Sequence, residues 1–382
     1  MDSILSSIWT TISYVGPFLV VLGLVVFVHE FGHFWIARRA GVKIEGFSIG
    51  FGPEIVGWHD KLGTRWRLAW IPFGGYVKMF GDADPSSFGP SEEVKTMTEA
   101  EKKMAFYAQP VRKRFAIVLA GPAFNYLFGA FVLALLFAFN GQPYTSTKIA
   151  SVVDASPAAK VGMKEGDTVL SIDGKPMESF EQIKRLIMLS DGQPVSLVYQ
   201  REGTDITVNV TPEIQTITDR FGGEHKQGVL GIVSKDRAYR DLGVGASILE
   251  AFLEVGRITG DTMKGLGQMI MGTRSAEELG GPLRIAEMSG KVAKDGLSAF
   301  FWFVAMISVN LGLINLFPIP LLDGGHLFFY IVESLRGRPL GDRVQEYGLR
   351  FGAAVVLFLM VFATWNDLVH LRVVSYIRGL FS

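Results

Sequence analysis

Apolar positions fall into two regimes along this chain. In four stretches they are nearly continuous: Tyr14–Ala37, Phe115–Phe139, Leu297–Leu322 and Phe351–Trp365, the last extendable to Leu371. Crossing a bilayer takes about 20 mostly apolar residues, so these four are predicted to span. The fourth is the shortest and carries Asn366 and Asp367 near its end. The first has no Lys or Arg before it and no small-residue cleavage site after it, so it reads as a retained anchor rather than a removed leader.

Elsewhere the pattern alternates. From about 145 to 235, short apolar runs such as Val195–Val198 and Ile206–Val210 are punctuated by Glu165-Gly166-Asp167 and Asp173-Gly174, which predicts a small β-rich insert. Within it, Phe180, Ile183, Leu186 and Ile187 fall at helical spacing. Thr216–Lys226 reads as a looser segment, and Gly228–Ile232 as a late strand. From Ala246 to Met271, Leu249, Phe252, Ile258, Met263, Leu266 and Ile270 recur with charges between them. That predicts an amphipathic helix, either lying on the membrane or packed on the insert. Ile44–Gly57 and Trp66–Phe80, rich in Gly, Ile, Val and aromatics, read as strands, and polar Asp82–Lys103 as a mobile loop.

The expected fold is therefore a polytopic α-helical membrane protein with about four transmembrane helices and an inserted β-rich domain. Residues 1–144 form the first part of the membrane core, 145–235 the insert, 236–296 an amphipathic linker, and 297–382 the second part of the core. The spans account for a mean hydropathy of +0.30 over 382 residues. With 37 basic against 37 acidic residues, the chain has no electrostatic footprint for nucleic acid. The charges are unevenly placed, however. No Lys or Arg precedes the first span, whereas Arg38–Arg114 contains thirteen, and Arg336, Arg338, Arg343 and Arg350 follow the third span. Positive loops stay cytoplasmic, so the 38–114 loop is expected inside and the insert outside.

The absence of cysteine excludes thiol catalysis, disulfides and thiolate metal sites. His29-Glu30-Phe31-Gly32-His33 fits H-E-x-x-H inside the first span. On a helix, residues i and i+4 share a face, so both imidazoles can reach one ion, with Glu30 beside them as a base. Ionisable groups in a span are costly unless paired or bound. Zinc held by two histidines needs a third protein ligand and an open position. The carboxylates in or near spans are Asp323, Glu333 and Asp367. Asp323 lies at the expected depth, after a stretch in which Pro318 and Pro320 interrupt helix hydrogen bonding. Non-helical backbone at membrane depth belongs inside protein or beside water. Asp323 could instead cap a helix His326–Arg336, and His326 is an alternative ligand.

H-E-x-x-H together with Asn315-Leu-Phe-Pro-Ile-Pro-Leu-Leu-Asp323-Gly324 resembles the site-2 protease family of intramembrane zinc metalloproteases, most nearly its bacterial regulator-of-sigma-E protease branch. Gly121-Pro122 with Asn125, and Phe73-Gly74-Gly75-Tyr76-Val77-Lys78, add to the likeness. Ser156–Asp167 followed by Ile172-Asp173-Gly174 resembles bacterial protease PDZ domains. Only one such domain has room here, whereas better-known members of that branch carry two. The resemblance implies Zn2+ held by His29, His33 and Asp323, with Glu30 as general base. It implies a membrane-re-entrant β segment over about 44–80 whose Gly74, Gly75, Tyr76 and Val77 bind substrate. It implies a substrate-facing Asn315; Asn310 either faces substrate or bonds across helices. The implied partners are single-pass membrane proteins already trimmed on the outer side, such as an anti-sigma factor or remnant signal peptides. The implied place is the bacterial inner membrane, embedded in the lipid bilayer. Competing readings are a membrane metal transporter and a non-catalytic PDZ-like scaffold.

Overall fold

A computed structural model describes residues 2–81, 97–190, 192–218, 224–272, 276 and 280–370. The contacts divide the chain into two units. One comprises residues 1–134, 248–263 and 276–382, and the other 135–247 and 264–275.

The first unit opens with α1 (Asp2–Arg39), followed by strands β1 (Ile44–His59) and β2 (Arg65–Met79), a single turn α2 (Glu99–Lys102), and α3 (Val111–Asn140). Among the described residues, four helices are long and apolar enough to cross a membrane: Ser13–Arg39, Val111–Asn140, Leu297–Asn315 and Arg343–Val369. Four spans were expected. Most of the 82–103 loop, residues 82–96, lies outside the described residues, as does Leu371 at the end of the extended fourth span, whose helix continues to His370.

The β1–β2 connection is closed by Asp60, whose Oδ1 accepts from the N–H groups of Leu62 and Thr64 at 2.9 and 3.0 Å. The two strands are long enough to fold back on themselves. Residues 44–49 pair with 75–79 on one side and with 65–68 on the other, and 54–59 pair with 65–69. Four stretches therefore lie side by side, with 75–79 outermost. Among the described residues no further strand pairs with the free edge of 75–79.

The second unit holds the β-rich insert. Its elements are β3 (Gln142–Thr145), β4 (Ser151–Val152), α4 (Pro157–Lys160), β5 (Thr168–Ile172), β6 (Lys175–Pro176), α5 (Phe180–Leu189), β7 (Val195–Arg201), β8 (Thr204–Val210), β9 (Glu213–Thr218), β10 (Glu224–Val229), β11 (Ile232–Val233) and β12 (Arg237–Arg240). Four strands form one sheet in the order β6-β5-β7-β8, and the others pair as β9–β10, β4–β11 and β3–β12. Asp173-Gly174 and Glu202-Gly203 both have positive φ, as two-residue hairpin turns require. The core is the apolar face that alternation predicts: Val169, Ile172, Leu197, Tyr199 and Val210, closed by Ile183 and Ile187 of α5. Ser179 caps α5 through the N–H of Gln182. Burial pushes the Asp167 carboxyl up, but hydrogen bonds from Arg201 and the Lys164 N–H outweigh it and hold it below the usual carboxylate range. A groove of about 600 Å³ lies between α5 and the stretch Gly228–Val233.

Three sequence expectations need correction. Thr216–Lys226 is not loose where described: Thr216–Thr218 and Glu224–Lys226 belong to paired strands. The third span ends before the apolar run does: α8 stops at Asn315, at the break that Pro318 and Pro320 predict, and the chain turns before α9. The helix expected over His326–Arg336 begins earlier, at Asp323 itself, and its N-cap is Leu322, which makes no side-chain cap bond.

After the insert come α6 (Val244–Ile270), α7 (Pro282–Lys294), α8 (Leu297–Asn315), α9 (Asp323–Arg336) and α10 (Asp342–His370). The middle of α6 belongs to the first unit. Thr262 Oγ1 donates to Asn310 Oδ1 of α8 at 2.8 Å, while Ile248, Leu249, Phe252 and Leu253 of α6 are exposed. Asp367 of α10 caps α7: its carboxylate accepts the N–H groups of Gly281, Leu283 and Arg284 at 2.8–3.1 Å.

Candidate metal centre

The helical spacing of His29 and His33 puts their rings on one face of α1, with Nε2 atoms 3.3 Å apart. Asp323 Oδ2 lies 3.1 Å from Nε2 of His29 and 3.4 Å from Nε2 of His33. Tetrahedral bonds of about 2.0–2.1 Å to one zinc ion separate donor atoms by roughly 3.3 Å. The three atoms thus form the near-equilateral triangle that one ion needs. Asp323 Oδ2 is also buried without a hydrogen bond of normal geometry, an arrangement that is costly unless a cation answers it. Among the described residues this is the group of His and carboxylate side chains able to hold a metal ion.

The ring nitrogens facing away from the cluster are held by α3. His33 Nδ1 donates to Ile117 O at 2.9 Å, which leaves the Nε2 lone pair free. His29 Nδ1 lies 3.2 Å from the side-chain amide of buried Asn125. An amide oxygen turned toward His29 would accept an Nδ1–H and free Nε2 in the same way. Ser308 of α8 donates to Asn125 O at 2.9 Å, fixing that stretch of α3. Gly121 explains how α3 comes so close: a Cβ there would sit 2.3 Å from His33 Nε2 and 2.9 Å from His29 Cε1.

Asp323 is delivered by the break. Ile319 N–H bonds Phe317 O at 2.7 Å and Leu322 N–H bonds Ile319 O at 2.9 Å, so the chain doubles back. Leu321 has φ 122°, a strained region for a residue with a Cβ, of the kind that concentrates at functional sites. The first turn of α9 then jams against this loop. A Cβ on Gly324 would lie 2.2 Å from Phe317 O, which is why Asp323 is followed by glycine. From the other side, Gly352 of α10 leaves no room for a Cβ against Pro320 O.

Glu30 is half-buried beside the cluster, and its Cγ would be 2.9 Å from a Cβ on Gly75. A cavity of about 290 Å³ is lined by His29, Glu30, His33 and Asp323 together with Gly74, Gly75, Tyr76, Val77 and Asn315. Those residues, far apart in sequence, meet in one place. Asn310 does not line this cavity and bonds across helices to Thr262. His326 lines the cavity but stands outside the three-atom cluster. The other two candidate carboxylates are occupied elsewhere: Glu333 pairs with Arg114, and Asp367 caps α7. In the sequence alone Gly121 and Asn125 stand out only as marks of a resemblance. Their spacing of four puts both on one face of an otherwise apolar span, which is the signal that they serve a buried polar site.

Comparison with known proteins agrees with this geometry. Residues 17–359 match the model of Peptidase family M50. A protein of Agrobacterium fabrum named "Putative zinc metalloprotease" is 40% identical over 372 residues, covering 96% of this chain and 99% of that one. Metalloprotease MmpA of Caulobacter vibrioides is 35% identical over 387 residues, covering 95% and 97%. Among solved structures, the PDZ domain of an SdrC-like protein from Listeria monocytogenes covers 24% of this chain and 88% of its own, at 24% identity and a TM-score of 0.20, too low to carry an argument. With a match over most of its length and a His-His-Asp cluster built in apolar helices, the chain belongs to Peptidase family M50, the zinc metalloproteases.

Proposed function

We propose that this protein is an intramembrane zinc endopeptidase that cuts single-pass membrane proteins within or near their transmembrane segment. The observation that carries this is the convergence of Asp323, at the start of α9, on His29 and His33, with Glu30 beside them, in a helix able to cross a membrane. A bound zinc would polarise the scissile carbonyl and lower the pKa of a water it holds to about 7. Glu30 then takes a proton from the attacking water and passes it to the leaving amine. Asn315, at the cavity wall, offers an amide to the substrate backbone.

A helical substrate hides its carbonyls in its own hydrogen bonds and must be unwound before it can react. The free edge of 75–79 lines the cavity and can satisfy the released backbone groups by strand addition. The test uses the full chain with zinc in proteoliposomes and mass-spectrometric mapping of cuts in single-pass substrates. Cuts should fall in or next to the apolar segment. Val77→Pro removes a strand donor without touching a ligand. It should keep zinc and slow cleavage most for stable helices, and less for substrates with Gly or Pro near the cut. Cuts confined to soluble segments would reject the intramembrane reading. Unchanged cleavage by Val77→Pro would reject strand addition at that residue.

The placement we propose is the bacterial inner membrane, with the 38–114 loop cytoplasmic and the β-rich unit, read as a single PDZ-like domain, outside. The support is the clustering of Lys and Arg in that loop. An epitope within 82–103 should be protected from protease added to spheroplasts, and one within 145–235 should be cut. The reverse pattern would overturn this orientation and any role for the insert in screening externally trimmed substrates.

A further inference from the structure

We infer that Arg114 and Glu333 form a clamp that sets the position of Asp323, and so serve the metal centre as positioning residues although neither touches it. The inference rests on reading the cluster as a zinc site. Asp323 opens α9 directly after the broken stretch, so the run of α8 does not determine where its carboxylate points. The rotation and depth of α9 must be fixed by what packs on it. At its first turn the fit is steric, with Gly324 and Gly325 pressed on the backbone of residues 316–320. Further along it is polar. Arg114 Nη2 donates to Glu333 Oε1 at 2.6 Å, and the guanidinium carbon sits 4.9 Å from the ring centroid of Tyr330, one turn earlier on α9.

The guanidinium is itself tied down at the root of α3, where Arg114 Nε donates to Gln109 O at 3.0 Å. The two side chains are 11% and 16% exposed, so water does little to loosen them. A planar fork with several fixed donors holds an angle that a single point charge would not. One turn after Arg114 on the same helix, Ile117 O accepts the Nδ1–H of His33. Two neighbouring turns of α3 therefore orient two of the three metal-facing side chains: His33 directly, and Asp323 through α9. The 3.4 Å between Asp323 Oδ2 and His33 Nε2 is set by that shared support. A pair that merely added stability would have no reason to be anchored beside Ile117.

The test uses the full chain in detergent micelles, stripped of metal and titrated with zinc against a competing chelator. Cobalt(II), whose visible spectrum reports coordination geometry, is titrated in parallel. Glu333→Gln and Arg114→Met should each weaken zinc by roughly tenfold to a hundredfold, the scale seen when support behind a metal ligand is lost, and should alter the cobalt spectrum. Arg114→Lys keeps charge without the fork and should show a smaller loss. Asp367→Asn replaces one of the two oxygens that cap α7, in the same unit, with an NH2 that cannot accept. It should lower the melting temperature while leaving zinc affinity and the cobalt spectrum unchanged. Zinc affinity within about twofold of wild type in the clamp variants would overturn the inference. So would a loss that Asp367→Asn reproduces at equal melting temperature. If Glu333→Gln does not fold, Arg114→Lys decides: wild-type affinity there overturns the clamp. A wild-type chain that binds no zinc would instead overturn the zinc reading itself.

Discussion

Glu30→Gln is expected to fold, to bind zinc like the wild type, and to lose cleavage by on the order of a hundredfold or more, the scale of a general base. The expectation follows from where Glu30 stands. It is next to His29 on α1 and lines the cavity, but its carboxylate is not one of the three atoms that converge. Glutamine preserves length and shape under Gly75, where space is tight, so the strand edge need not move. What is removed is the capacity to accept a proton. Metal analysis and turnover on a single-pass substrate, measured on the same preparation, separate the two roles. Near-normal turnover would remove Glu30 from the chemistry, whereas loss of zinc would make it a ligand.

The second large effect is expected from the opposite change. Asp323→Ala leaves Glu30 in place and takes away one corner of the triangle. Wild type should carry about one zinc per chain, as one three-ligand site implies. Asp323→Ala, His29→Ala and His33→Ala should each lower zinc affinity by more than the roughly 10–100-fold that loss of an outer hydrogen-bond partner costs, and cleavage should follow. Asn125→Ala, which removes only the partner of His29, should stay within that range. Competition with a chelator reads all four. Full zinc in Asp323→Ala would mean that the carboxylate is not a ligand, and His326, on the same cavity wall, would be examined in its place.

Both predictions concern residues that stand out in the sequence for a simple reason. A bilayer-spanning helix tolerates few ionisable groups, so His29, Glu30, His33 and Asp323 are conspicuous against their neighbours, and the spacing of four fixes their face. The same economy makes Glu333 and Asp367 look like equal candidates. Only the fold separates them, because each is claimed by a partner remote in sequence: Arg114 for one, the N-terminus of α7 for the other. The amphipathic pattern of Ala246–Met271 likewise predicts a helix but not its neighbour. The hydrogen bond from Thr262 ties it to α8 and gives Asn310 a structural partner.

Local chemistry, then, is what the sequence by itself determined: four apolar helices, a turn at Asp173-Gly174, the helical run from Phe180, the break at Pro318 and Pro320, and the face shared by His29 and His33. These depend on interactions within a few residues, namely hydrogen-bond periodicity, proline's missing N–H and side-chain volume in lipid. Tertiary structure alone decided how α9 turns Asp323 toward a helix nearly three hundred positions away, how Gly121 lets α3 press on two imidazoles, and how 75–79 becomes an edge beside Glu30. Those outcomes depend on distances between segments that no local periodicity encodes. They are set by close packing, in which a missing Cβ at Gly121, Gly324 or Gly352 decides which backbones can touch.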